Sequence, residues 1–447
     1  MICSEPRLAR LLNPLKQLGQ QTLYLNAYAL IGSNLLTAAA SYLFWILAAR
    51  RFTDEAVGIA SALFASMALL DMLASIGLES GLIRFLPAQE DAEASNHMIQ
   101  VATTLRLAAA LITTLIFIAG LSLWAPGLPS ASQASGLWML FILLTLANGA
   151  YNLLNAVFIA LRKARYVFVG SLIFNAVKLG AIAAIPSTAG TPGVITAVIA
   201  GLFGLVLIEL FVFLPDLSAS FRPRLSLALQ SLRGFFNYSM MNQLADVLLG
   251  LPQMLLPLFV INTLGASANA RFYTAWMTAG ILRTACISIA QSAFAEGSAA
   301  VRQSGTLHTS IKHSLGLSLL AVLGGGGLLA VSGRWVLLLF GKSYSEEGTQ
   351  LLYWLLISVL PFSLTNLYLT TLRIRKQTAF LLAISAAWAV ISLSGTWIGM
   401  KAEGLTGIAI GWTIAQFAAL ILTIPLWMGE QAQLYPTKMT HQEETVQ

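Results

Sequence analysis

Twelve apolar runs of roughly 20 residues, the length that crosses a hydrocarbon core of about 30 Å, dominate this chain. They run at 22–48, 57–80, 101–124, 137–161, 166–185, 195–215, 236–262, 268–294, 311–332, 350–371, 379–399 and 404–427. A lone strand in lipid leaves its backbone groups unpaired, so every run is expected to be helical. Of the 447 residues, 57% are hydrophobic and only 10% charged, with mean hydropathy +0.78. A soluble domain carries about 25% charge, so a soluble enzyme of this composition could not wet its surface. Disordered chains, disulfide scaffolds and coiled coils are set aside on the same grounds. The expected fold class is an all-α polytopic membrane protein. Cys3 lies in a polar tail and Cys286 in an apolar run, so no disulfide, metal or redox role is expected of them.

The net charge of +7 would suggest a nucleic-acid partner in a soluble protein, but here it reads as orientation, and no nucleic acid is expected. With a cytoplasmic N-terminus, 16 of the 25 Lys and Arg fall on the inner side and 6 on the outer, while Arg106, Lys178 and Arg283 lie inside runs. Cytoplasmic loops carry the positive excess, which places both termini in the cytoplasm. The first run far exceeds a signal-peptide core of about 7–15 residues and is read as a retained span.

The longest connector, 216–235, contains Pro223 and three arginines and divides the spans into two sets of six. The expected organisation is a cytoplasmic tail 1–21, a six-helix bundle 22–215, a cytoplasmic linker 216–235, a second bundle 236–427 and a cytoplasmic tail 428–447. A shift of 212 sets Asn26, Asn34 and Ser41 on Tyr238, Asp246 and Gln253, and sets Asp71 and Glu79 on Arg283 and Gln291. A shift of 211 sets Asn155 and Arg162 on Asn366 and Arg373. Six is even, so both halves enter the membrane in the same sense, as a repeat with pseudo-twofold symmetry about the membrane normal.

No connector exceeds about 20 residues, and neither a nucleotide-binding loop nor a zincin motif is present. Enzymatic chemistry, a metal and a cofactor are therefore not expected, save coupling to a proton or sodium gradient. The four histidines fall in loops or at helix ends, where a solvated side chain is the default. Gly324–Gly327 reads as close helix packing or a flexible point rather than a phosphate cradle.

Ionisable groups inside spans are costly and carry the functional reading. Tyr238, Asn242, Asp246 and Gln253 fall within about 80° of one another on span seven at 100° per residue. Asn26, Asn34, Thr37 and Ser41 form a milder stripe on span one, and both stripes are expected to face the gap between halves. Asp71, Ser75 and Glu79 share a face of span two, against Arg283 and Gln291 on span eight. One reading is a cavity in which Arg283 attracts an anionic headgroup, with Lys178, Asn242, Gln253 and Gln291, while Asp71, Glu79 or Asp246 takes up a proton or cation. The other is an Asp71 to Arg283 pair that only holds the halves together. Arg106 is expected to snorkel to the cytoplasmic interface, with Glu209 and Glu296 also interfacial. Pro252, Pro257 and Pro361 favour kinks or static bends in spans seven and ten.

Two stretches carry a family resemblance. AARRFTDEAVGIASALFASMALLDMLASIGLESGLIRFLP, from Ala48, resembles the first loop and second helix of bacterial polysaccharide exporters and lipid-linked oligosaccharide flippases of the multidrug/oligosaccharidyl-lipid/polysaccharide superfamily. LLLFGKSYSEEGTQLLYWL, from Leu337, is similar to their Phe-Gly turn before span ten. The resemblance implies two six-helix bundles forming a V that turn over an undecaprenyl-pyrophosphate-linked oligosaccharide in the inner membrane, for O-antigen, capsule or exopolysaccharide. Basic cavity residues then meet the pyrophosphate, with Arg283 as candidate, and a polysaccharide polymerase and glycosyltransferases are the implied partners. Span one has no arginine and span two has Asp71 and Glu79, where related lipid II flippases have several arginines. Cation-coupled multidrug efflux, with Asp71, Glu79 and Asp246 as binding acids, is the alternative, and a polytopic glycan polymerase or ligase is a third.

Overall fold

The computed structural model describes residues 7–89, 91–217, 221–226, 235–302 and 307–434. The side chains of Tyr238 and Asn242, together with Cys3, His308, His441 and much of the expected tails and linker, lie outside the described residues.

Helices account for nearly all of the described chain, and no strand occurs among those residues. The first unit is built from α1 (Arg7–Arg51), α2 (Asp54–Ser75), α3 (Ala92–Ala119), α4 (Ser135–Ala160), α5 (Ala164–Ala184) and α6 (Gly190–Ile208). Next come α7 (Phe235–Leu264), α8 (Ala266–Arg302), α9 (Leu307–Leu320) and α10 (Lys342–Ile374). Thr378–Leu434 holds α11 and α12, parted at the non-helical Glu403 and Gly404. Helices α6 and α9 continue through π-helical turns at Glu209–Phe213 and Ala321–Gly325, whereas α7 and α10 run on through their prolines. Ten stretches among the described residues are long and apolar enough to cross a membrane, and one of them, Thr378–Ile424, is the α11–α12 pair. The more polar α8 completes twelve transmembrane helices.

Local chemistry sets the helix ends. Thr53 Oγ1 accepts a bond from Ala56 N–H at 3.2 Å, and Asp54 and Glu55 occupy the first turn of α2, where they face the positive end of the helix dipole. Helices α4 and α10 close with the same cap. Lys163 N–H reaches Phe158 O at 2.8 Å around Arg162 (φ 56°), and Gln377 N–H reaches Leu372 O at 3.0 Å around Lys376 (φ 58°). Lys376 lies 214 residues after Arg162, while α8 begins 212 residues after α2. The repeat register in α4 and α10 is therefore 214 rather than 211, and the partner of Asn366 is Asn152, not Asn155.

The chain forms two compact units, one ending at Gln243 and the other beginning at Leu244. In the first, α1 and α5 are joined by polar rungs. Asn26 Oδ1 accepts from Ala164 N–H at 3.2 Å, Ser33 bonds Ser171, Thr37 accepts from Asn175 at 3.2 Å, and Ser41 accepts from Lys178 at 3.2 Å. The separations are 138, 138, 138 and 137 residues, so the two helices run parallel and in step. The stripe expected to face the gap between halves thus has these rungs turned into the first unit, because a hydroxyl or amide among apolar helices is best satisfied by a neighbouring helix.

In the second unit the α11–α12 hairpin is held by glycines. A Cβ on Gly399 or Gly407 would overlap the other's backbone carbonyl, and one on Gly395 would stand 2.9 Å from Gly411 O. Two small-xxx-small pairs thus let the backbones touch. Within the tetraglycine run, Gly325 and Gly326 face Leu282, whereas a Cβ on Gly324 or Gly327 would meet nothing within 4 Å.

Candidate functional site

Asp71 and Glu79 converge on one guanidinium. Helix α2 ends at Ile76 (φ 46°) and Gly77 (φ 75°), and a short helix, Leu78–Phe85, follows. The break lets both acids face α3. Arg106 Nε donates to Glu79 Oε1 at 3.0 Å, Nη2 bonds Asp71 Oδ1, and Asn152 Nδ2 donates to Asp71 Oδ2 at 2.9 Å. Arg106 is fully buried, and the two carboxylates keep about a fifth of their surface. Gly149 leaves the room: a Cβ there would lie 3.4 Å from the guanidinium carbon. Arg106 therefore does not snorkel. It is held by two acids that already supply the charge its burial demands, and Asp71 has its partner within its own unit rather than in Arg283.

Lys178 is enclosed as well, with its ammonium 4.6 Å from the Phe174 ring centroid and 5.6 Å from that of Phe44. Serine and two aromatic faces satisfy the charge in part. Glu209 is fully buried at the start of the α6 π-helical turn, and neither carboxylate oxygen has a hydrogen-bond partner among the described residues. Helix α5 packs across it, with Gly170 alongside, so the carboxylate is enclosed by protein rather than exposed.

The second unit contains a cavity of about 320 Å³ between α7, α8, α10 and α11. Asp246, Gln253, Gln291, Asn366 and Arg373 contribute polar groups, and Leu249, Ile287, Phe294 and Trp388 are among the apolar ones. Asp246 and Gln253 are seven residues apart, as are Asn366 and Arg373, so each pair lies on one helical face. Arg373 Nη2 donates to Asp246 Oδ1 at 2.6 Å, and both side chains stay partly exposed. Three of the expected residues, Asp246, Gln253 and Gln291, are thus brought together. Arg373, two residues beyond the expected span 350–371, is not among the expected headgroup residues; its seven-residue spacing from Asn366 is the signal that finds it.

Arg283 does not line this cavity. Its guanidinium stacks 3.7 Å from the Trp276 ring centroid, and Nη1 is buried without a hydrogen-bond partner among the described residues. Trp276 meets Trp412 edge-on at 4.9 Å, and Trp412 meets Trp388 at 5.9 Å. A column of indoles therefore runs from Arg283 to the cavity wall. Trp388 is fixed at the far end, where its Nε1–H donates to Gln416 Oε1 at 3.0 Å, and Gln416 donates to Ser392 at 3.1 Å. Behind Trp388 lies an apolar groove of about 420 Å³ between α10, α11 and α12, lined by Phe380, Ala383, Ala387, Ile391 and Leu422. Trp388 and Thr365 belong to both spaces.

Twelve membrane helices in two six-helix sets, with charged and amide groups gathered in a cavity, define a multi-pass membrane transporter. Residues 23–294 match the model of a family described as polysaccharide biosynthesis protein, and the chain belongs to that family. None of the curated proteins matches. Among solved structures, an inward-facing multidrug resistance MATE family transporter of the MOP superfamily aligns with TM-score 0.70 at 14% identity, over 91% of this chain and 96% of that one. The lipid II flippase MurJ, in an inward closed conformation, aligns with TM-score 0.69 at 11% identity over 90% and 87%. A MOP superfamily transporter from Pyrococcus furiosus aligns with TM-score 0.63 at 14% identity over 93% and 96%. These likenesses establish the MOP fold.

Proposed function

We propose that the protein is an inner-membrane flippase that moves an undecaprenyl-pyrophosphate-linked oligosaccharide to the outer leaflet without covalent chemistry, both termini being cytoplasmic. The observation that carries the reading is the pairing of two unlike spaces across one tryptophan. A cavity with a guanidinium and three amides suits a phosphate and sugar headgroup, while the groove behind Trp388 suits the hydrocarbon chain attached to it. The family supports a role in polysaccharide biosynthesis. The MOP fold is common to transporters that differ in cargo, so the cargo is argued from the cavity. Its acid, Asp246, is paired with Arg373, so a cationic drug would have to displace a guanidinium to reach it. Where turnover draws on an ion gradient, Asp71 and Glu79 are the carboxylates to bind the ion, since two acids share one guanidinium and leave one negative charge in excess.

Deletion of the gene is expected to abolish surface glycan and to leave lipid-linked intermediate in the inner leaflet. Trp388→Ala, which merges cavity and groove, is expected to restore less than a tenth of export at normal protein level. Drug hypersensitivity with intact surface glycan after deletion would instead establish efflux.

A further inference from the structure

The cavity's guanidinium is not vacant. Arg373 sits in the last turn of α10, where the negative end of the helix dipole favours a cation, and Asp246 of α7 holds it by a charge-assisted bond of 2.6 Å. The pair is not sealed: about a third of Arg373 and half of Asp246 remain exposed. The repeat argues that the pair is not there for packing. At shifts of 212 and 214, the equivalent residues of the first half are Asn34 and Ile159, so a six-helix unit of this kind folds with neither charge.

We propose that Asp246 is a built-in occupant of the anion site, and that a phosphate-bearing headgroup binds by taking the Arg373 guanidinium away from it. The inference rests on the reading of this cavity as a headgroup site. A half-exposed carboxylate to guanidinium contact is cheap to give up, while a phosphate offers the same guanidinium paired oxygens and more charge. Gln253, Gln291 and Asn366 line the same cavity and supply neutral donors for the remaining oxygens. Between cargoes the displaced carboxylate returns to Arg373, so inorganic phosphate and anionic lipid must compete with it for the guanidinium of the empty cavity. Asp246 then sets a threshold: a mono-anionic lipid headgroup gains little by the exchange, and a pyrophosphate gains more.

The test is equilibrium binding of farnesyl pyrophosphate, with farnesol as the uncharged control, to the full chain in nanodiscs. Removing the competitor with Asp246→Asn is expected to tighten farnesyl pyrophosphate binding about fivefold, the equivalent of one exposed pair near 1 kcal/mol at 1.4 kcal/mol per tenfold. Farnesol binding should not change. Arg373→Ala should abolish the preference for pyrophosphate in both backgrounds, and Asp246→Ser provides a second neutral variant should Asn misfold. If the parent prefers farnesyl pyrophosphate and loses that preference on Arg373→Ala, yet neither neutral variant binds tighter, the competition is overturned and the headgroup site stands. If the parent binds farnesol as well as it binds farnesyl pyrophosphate, the headgroup reading itself fails.

Discussion

Replacing Arg106 with alanine would leave Asp71 and Glu79 facing each other across a space that no cation fills. Breaking a buried ion pair from one side costs about 3–5 kcal/mol. Each acid keeps about a fifth of its surface, so water recovers part of the loss and the lower end, about 3 kcal/mol, applies. At roughly 2–4 °C per kcal/mol for a unit of this size, the first unit should melt about 6–12 °C lower. The change can be followed by tryptophan fluorescence in detergent micelles. Because the penalty is uncompensated charge rather than lost volume, Arg106→Met combined with Asp71→Asn and Glu79→Gln should recover most of it. Arg106→Ala melting within 2 °C of the parent, or a charge-free triple variant no more stable than Arg106→Ala, would refute this reasoning. The triple variant also separates two roles. If it folds and exports, the acids serve structure, and if it folds without exporting, they serve coupling.

Gly399→Leu should abolish accumulation of folded protein, since its side chain has only the Gly407 backbone to enter, whereas Gly327→Leu, with nothing within 4 Å of its Cβ, should accumulate normally. Size-exclusion profiles in detergent compare the two. Lys178→Met should melt no lower than the parent, because relief of ammonium desolvation outweighs one bond to Ser41. Reduced export at unchanged melting would assign Lys178 to the headgroup.

The helices were legible because lipid leaves a long apolar run one option. The register of the repeat was legible at α2 and α8, where both helices start after a short turn, and was off by three residues at α4. There the matching of residue names favoured Asn155, while the caps favour Asn152. Arg106 differs from expectation for two physical reasons: its helix begins at Ala92 rather than near 101, which puts the arginine mid-helix, and the break at Ile76–Gly77 that brings Glu79 round has no signal beyond one glycine. Arg373 was hidden by counting arginines as loop charges, although α10 continues past it to Ile374. Pairing between α1 and α5 is a tertiary fact that stripe arithmetic on one helix cannot contain. The Gly395/Gly399 and Gly407/Gly411 spacings stand in the sequence, but the expected glycine packing was placed at Gly324–Gly327 instead.

Those glycines govern more than a crossing point. Helices α11 and α12 touch around Gly399 and Gly407, and the groove that they line with α10 begins about 12 Å away, eight residues at about 1.5 Å each from Gly399 to Ile391. The closest contact in the hairpin is backbone against backbone, so the separation of α11 and α12 at the groove depends on that contact as well as on the side chains that line it. Widening that contact by a methyl group would change the width of a groove none of whose own lining residues had been altered.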